Sequence, residues 1–117
     1  MEKAKIVVVV GSRGIEKCAA LTARLAQLAP DQVVSGGAAG VDRLAATWAR
    51  ANGVALLELR PDYAAHGPTA APHVRNAEIV LRATLVLVVW DGNSRGTLSA
   101  LLAARRLGRP VELLPLD

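Results

Sequence analysis

The run of five β-branched residues from Ile6 to Val10 constrains the fold of this 117-residue chain more than any other feature. A run of this kind, without polar alternation, is typical of a parallel strand that is covered on both faces. Gly11 follows it directly, at the point where such a strand would turn into a loop. The chain is therefore expected to place helices on both sides of a parallel sheet.

Strand-like and helix-like patterns alternate along the rest of the chain. The predicted strands are 6–10, 32–35, 54–59, 83–90 and 111–114, and the predicted helices are 18–28, 41–51, 73–82 and 97–107. Residues 60–72 contain three prolines and a glycine without a sustained period, which predicts a loop. The alternation predicts an α/β fold: one Rossmann-like, doubly wound domain over residues 1–117, with about five parallel strands and helices on both faces.

Composition narrows the range of partners. The net charge of +4 favours anionic partners, and eleven of the fourteen cations are arginine, whose guanidinium suits bidentate contact with phosphate. The arginines are dispersed and aromatic residues make up 3% of the chain, so neither a basic tail nor a stacking surface for single-stranded nucleic acid is predicted.

Cysteine usage and hydropathy indicate the compartment. The one cysteine, Cys18, lies on the apolar face of a predicted helix, which favours a packed side chain over a reactive thiol. No apolar window is long enough to cross a membrane, and the N-terminus lacks the cleavage site of a signal peptide. A cytoplasmic protein with no membrane partner is expected.

Four loops should meet where the strands end at their carboxyl edge. They are GSRG from Gly11, SGGAAGVD from Ser35, RPDY from Arg60 and DGNSRGT from Asp91, and seven of the ten glycines lie in three of them. Glycine lets backbone N–H groups approach a ligand, and helix N-termini favour negative charge. With Arg13 and Arg95 nearby, these loops predict a site for an anionic, phosphate-bearing ligand.

Each of these features has a structural alternative. Asp42 could cap its helix, Asp91 could close a turn, and Arg75 and Asn76 could lie on an exposed helix face. Neither glycine loop has the GxGxxG spacing, and no GxxxxGK[ST] motif occurs, which disfavours a Walker-type ATPase. The two histidines, His66 and His73, and the cysteine lie far apart, so no metal site is predicted.

The motifs GSRG, VVSGGAAGVDRLAATWA, RPDY…HG, RNAEIV and WDGNSRGT, in this order, resemble the YspA-like branch of the SLOG superfamily. That superfamily also includes the DNA-processing protein DprA and the LOG-type cytokinin-activating phosphoribohydrolases. The resemblance covers nearly the whole chain. It implies a Rossmann-like fold that binds a nucleotide or nucleotide-derived ligand, with no other cofactor assigned.

The loops and the resemblance together predict one set of ligand- and phosphate-binding residues. The set is Gly11, Ser12, Arg13, Ser35, Gly36, Gly37, Gly40, Asp42, Arg75, Asn76, Asp91, Gly92, Ser94, Arg95, Gly96 and Thr97. Because homo-oligomers are common among SLOG relatives and the edge strand at 111–114 is apolar, self-association is expected as well.

The chain departs from its relatives at two positions. Ala39 stands where the family's second loop, GGARGAD, has a basic residue, so one anion contact is lost or lies elsewhere. Ala100 stands where the PGGxGTxxE motif of LOG-type enzymes has its glutamate, although the Gly-Thr step at 96–97 is kept. The second departure argues against LOG-type phosphoribohydrolase activity.

Three functions stay open from the sequence. Binding or sensing of a nucleotide or nucleotide-derived ligand agrees best with the missing glutamate. A nucleotide-processing enzyme, with N-glycosidic hydrolase or phosphoribosyl-type chemistry, would need a carboxylate, for which Asp42 and Asp91 are the candidates. Single-stranded DNA binding as in DprA is the third, and the small size, dispersed arginines and few aromatic rings argue against it.

Overall fold

Strands and helices alternate along a computed structural model that describes residues 3–117. The strands are β1 (Ile6–Gly11), β2 (Gln32–Ser35), β3 (Ala55–Glu58), β4 (Leu85–Val89) and β5 (Val111–Leu113), and the helices are α1 (Ala19–Leu28), α2 (Val41–Ala51), α3 (Tyr63–Leu81) and α4 (Arg95–Arg106). Apart from α3, the predicted boundaries agree with these to within about two residues, which is the usual uncertainty of element ends.

All five strands form one parallel sheet in the order β3-β2-β1-β4-β5. The central strand β1 pairs with β2 and with β4, and its last residue, Gly11, lies opposite Val89. The chain leaves β1 towards β2 on one side and returns to β4 on the other, so the strand order reverses between β1 and β4. A crevice opens at such a reversal, at the carboxyl ends of the strands.

The β-branched run of β1 is buried on both faces of the sheet, as its pattern predicts. Val7 and Val9 pack against α1 and α2, where Leu21 and Leu25 are fully buried. Val8 and Val10 point to the opposite face and pack against a core that includes Ile79, Leu101 and other residues of α3 and α4. The doubly wound α/β architecture predicted from the sequence is therefore confirmed.

The prediction of a loop over residues 60–72 is wrong, because α3 already begins at Tyr63. The Asp62 carboxylate accepts a hydrogen bond from the Ala65 N–H at 3.0 Å and so caps the helix. Gly67, with φ 79° and ψ 173°, interrupts α3 after its first turn. The helix resumes at Pro68, in the first turn after the break, where a proline costs no backbone hydrogen bond. Glycine and proline therefore bend α3 but do not prevent this segment from being helical.

Cys18 is 5% exposed and packs in the core just before α1 begins, in agreement with the prediction of a packed side chain. Its Sγ lies 3.6 Å from the carbonyl oxygen of Pro115. Over residues 3–117, no helix has the length and apolar character needed to cross a membrane.

The close backbone crossing at Gly40 gives a test of this packing. Gly40 has φ 74° and ψ −127°, and a Cβ there would collide with the carbonyl oxygens of Ser12 and Arg13. We expect Gly40→Ala to lower the free energy of unfolding by about 3 kcal/mol or more, measured by urea denaturation. Gly53→Ala is the matched control, since Gly53 also has a positive φ of 66° but open space around it, and should cost about 1 kcal/mol. Equal losses would show that the crossing tolerates a side chain.

Candidate functional site

A cleft of about 70 Å³ opens at the carboxyl edge of the sheet, beside the reversal between β1 and β4. The loops after β1, β2 and β4 line it together with the middle of α3. The sequence-predicted residues that the structure brings together there are Gly11, Arg13, Gly36, Asp42, Arg75, Asn76, Ser94, Gly96 and Thr97. Val10, Ala38, Ile79 and Ala100 also line the cleft.

Ser12 is fully buried and ties together the loops that surround the cleft. Its N–H donates to the Val89 carbonyl at 3.1 Å, and its carbonyl accepts from the Val41 N–H at 3.3 Å. Its Oγ accepts from the Asp91 N–H at 3.0 Å. Ser12 thus holds the β1, β2 and β4 loops in one arrangement, and its place in the structure is beneath the cleft rather than on its wall.

Arg75 reaches from α3 to the loop after β2, where backbone carbonyls fix its guanidinium. Its Nη1 donates to the carbonyls of Gly36 at 3.0 Å and Leu59 at 3.2 Å, and its Nε donates to Asn76 Oδ1 at 3.0 Å. Burial lowers the pKa of Arg75, and the charge of Asp42 opposes that shift. Arg75 is therefore built into the cleft, and the alternative of an exposed helix face does not apply to it.

Gly36 is needed because Arg75 passes so close to it. A Cβ at Gly36 would lie 2.5 Å from Arg75 Nη1 and 3.0 Å from Asp42 Oδ2. A side chain at this position would push the guanidinium away from the two carbonyls that it binds.

Asp42 is 7% exposed and lines the cleft near both arginines. Its Oδ2 accepts a hydrogen bond from the Ala38 N–H at 3.1 Å, which closes the second glycine loop. It does not cap α2, whose N-cap is Gly40 without a side-chain hydrogen bond. Burial raises the pKa of Asp42 above the ordinary aspartate value, opposed by the Ala38 N–H and by the charges of Arg75 and Arg13.

The N-terminus of α4 forms the wall that faces the reversal point. Ser94 caps the helix by accepting from the Thr97 N–H at 3.3 Å, and its Oγ lies 2.9 Å from Thr97 Oγ1. The Trp90 Nε1 donates to the Ser94 carbonyl at 2.9 Å and fixes the approach to the helix. Apart from its chain neighbours and the backbone of its own helix, no heavy atom lies within 4 Å of where a Cβ at Gly96 would be, so the first turn of α4 stays open to a ligand. Such a helix end favours a negative charge.

The structure places the rest of the fourth loop outside the cleft. The exposed carboxylate of Asp91 accepts from the N–H groups of Asn93 at 2.8 Å and Ser94 at 2.9 Å, and these bonds lower its pKa. Asp91 thus closes a turn, one of the two alternatives left open by the sequence. Gly92 supplies a φ of 85° in the same turn, and Arg95 is exposed at the start of α4.

Three further predicted residues shape the second loop. Ser35 is fully buried and its Oγ accepts from the Gly37 N–H at 3.4 Å. Gly37, with φ 71°, faces Glu58, whose Oε2 would lie 3.0 Å from a Cβ there. Together with Gly40 at the backbone crossing, these residues position the loop, whereas Gly36 and Asp42 reach the cleft.

Sequence reasoning missed a hydrogen-bonded cluster between α3 and α4. His73 Nδ1 lies 2.9 Å from Ser99 Oγ, and Asn76 Nδ2 donates to the same oxygen at 3.4 Å. His73 and Ser99 are 26 residues apart, and no local pattern signals such a pair. Between residues 3 and 117, no three His, Cys, Asp or Glu side chains are grouped closely enough to hold a metal ion.

Ala100 is 2% exposed and lies in the wall of the cleft. Its neighbours in that wall include the apolar side chains of Val10 and Ile79. The position at which the resemblance to LOG-type enzymes would place a glutamate therefore presents a methyl group.

Comparison with known families identifies the chain. The model of the family described as YspA, cpYpsA-related SLOG, named YAcAr, matches residues 5–66. The chain belongs to this SLOG family. The match extends from β1 into the first turn of α3, so it includes the first two glycine loops, whereas most of α3 and the N-terminus of α4 lie beyond it. No curated protein matches this SLOG-family chain.

The raised pKa of Asp42 predicts how stability depends on pH. The raised pKa means that the folded state binds the Asp42 proton more tightly than the unfolded state does. The resulting contribution to the free energy of unfolding is fully present below the unfolded-state pKa of about 3.9, and it is lost as the pH rises through the higher folded-state pKa. Asn cannot ionise, so the melting temperature of Asp42→Asn minus that of the wild type should increase as the pH rises from roughly 3.5 towards neutrality. A difference that decreases over the same range would contradict the raised pKa.

Proposed function

We propose that this SLOG-family protein binds or senses a nucleotide or nucleotide-derived ligand, and that the phosphate of the ligand lies in the cleft beside the N-terminus of α4. One observation carries the proposal: Arg13, the half-buried Arg75 and the open first turn of α4 all face the same small cleft. Two guanidinium groups and a helix N-terminus are the groups that proteins use to hold phosphate.

The size of the cleft supports a phosphate rather than a whole nucleotide inside it. Its volume of about 70 Å³ is far below the roughly 300 Å³ at which sites that enclose a drug-sized ligand begin. The cleft can take the compact anionic end of a ligand, while the rest of the ligand extends beyond it.

Two observations favour ligand binding over LOG-type phosphoribohydrolase chemistry and over the binding of single-stranded DNA. The wall at Ala100 is apolar, so no carboxylate is available at that position for cleavage of an N-glycosidic bond. Both tryptophans are half-buried, which leaves Tyr63 as the exposed aromatic ring among residues 3–117. A surface that stacks successive bases of a single strand needs several such rings.

A nucleotide-processing enzyme is the second candidate, and Asp42 is the observation that favours it. A buried carboxyl group with a raised pKa, located in a cleft, is suited to act as a general acid. Asp91 is less suited, because it is exposed and its pKa is lowered. Release of a free base from a nucleotide by the wild type, lost in Asp42→Asn, would establish this second function.

The role of Arg13 can be tested by comparing two arginines. Arg13→Gln should weaken the binding of inorganic phosphate and of nucleoside monophosphates by about tenfold or more, because a charge-assisted contact is lost. The binding is measured as a shift in melting temperature over a range of ligand concentrations. A ligand at 100 times its dissociation constant stabilises the folded state by about 2.7 kcal/mol, which produces a readily measured shift.

Arg82→Gln is the matched control for Arg13→Gln. Arg82 follows α3 at the opposite edge of the sheet and is exposed, so its replacement removes the same charge far from the cleft. If the two variants lose phosphate binding equally, the effect comes from net charge and the proposed cleft is not the binding site.

A further inference from the structure

A second cavity, of about 260 Å³, lies in the bend of α3. The break at Gly67 turns the first turn of the helix away from the rest, and the space between the two parts is what we call the elbow hollow. Its lining residues are Arg60, Asp62, His66, Ala71, Val74, Arg75 and Glu78. The last four follow the i, i+3, i+4, i+7 pattern, so they form one face of the longer part of α3.

The elbow hollow and the cleft are neighbours, because Arg75 lines both. The Nη1 of Arg75 is held by the carbonyls of Gly36 and Leu59, so the side chain that borders both cavities has a fixed position. The elbow hollow alone, at about 260 Å³, comes close to the roughly 300 Å³ at which sites that enclose a small-molecule ligand begin. Arg75 is thus the side chain that both ends of one bound ligand would contact.

The polar groups of the elbow hollow differ from those of the cleft. Two carboxylates, from Asp62 and Glu78, are balanced there by the guanidinium groups of Arg60 and Arg75. A hollow without excess charge, with both acceptors and donors, is suited to a neutral group that carries hydroxyls and ring nitrogens. The Asp62 Oδ1 already caps α3, so Glu78 is the carboxylate better placed to accept from a ligand hydroxyl.

Tyr63 adds an aromatic surface near this hollow. It lies in the first turn of α3, immediately after Asp62, and its side chain is 54% exposed. It is near enough to Arg75 to affect the pKa of that guanidinium. An exposed ring beside a polar hollow offers a face on which a nucleobase can stack.

We infer that the elbow hollow holds the ribose and base of a ribonucleotide whose phosphate lies in the cleft. The inference rests on the proposed function and assigns a role to the kinked first turn of α3. Glu78 accepts a hydrogen bond from a ribose hydroxyl, and His66 contacts the nucleoside from the opposite side of the bend.

The test measures the binding of adenosine monophosphate and of inorganic phosphate to the same variants by isothermal titration calorimetry. Glu78→Ala and His66→Ala replace exposed side chains, so both variants are expected to fold. Each should weaken the binding of adenosine monophosphate, Glu78→Ala by about tenfold, and leave the binding of inorganic phosphate unchanged. Glu16→Ala is the control, since Glu16 is exposed, carries the same charge and lines neither cavity.

The possible outcomes separate the inference from the proposed function. If the wild type binds phosphate but neither Glu78→Ala nor His66→Ala affects adenosine monophosphate more than Glu16→Ala does, the inference is overturned and the phosphate site stands. If the wild type binds neither phosphate nor adenosine monophosphate, the proposed function fails, and the inference fails with it.

Discussion

Three loops of the sheet are held together at one fully buried residue, Ser12. Its backbone and hydroxyl bind Val89, Val41 and Asp91, which connects the ends of β1 and β4 with the start of α2. A buried polar residue is stable only when its groups are satisfied, so these loops have little freedom to separate. Gly40 passes directly over the Ser12 carbonyl with a backbone conformation that glycine allows. These contacts hold the three loops around the cleft, and hydrogen bonds fix Arg75 and Asp42 in its wall.

The electrostatic balance of the cleft gives it its chemical character. Arg75 and Asp42 are both partly or fully removed from water, and each moderates the cost of burying the other. Arg13 and the N-terminus of α4 add positive potential at the open side. The cleft thus combines positive potential with one carboxyl group, which agrees with the proposed ligand, a phosphate next to a hydrogen-bond donor. A ribonucleotide has both.

Most of the fold follows from local pattern, because strands buried on both faces leave the clear signal seen in β1. The exception is α3, where glycine and proline indicate a loop but tertiary packing keeps two helical parts with a bend between them. The loops that carry the site could be predicted as well, since parallel topology brings them to one edge. The sequence could not predict which residues of these loops reach the cleft and which only hold the loops in position. That Arg75 binds carbonyls 16 and 39 residues away, or that Asp91 closes a turn while Asp42 reaches the cleft, depends on contacts between distant segments.

The most direct test of the central claim is an NMR titration of the ¹⁵N-labelled protein with inorganic phosphate. The account predicts that the largest changes in amide chemical shift fall on the residues around the cleft, namely Arg13, Gly36, Ala38, Gly96 and Thr97. Changes of that kind would show that the three loops and the N-terminus of α4 hold one anion together. A saturable titration whose largest changes fall at the opposite edge of the sheet, around Arg82, would contradict the account.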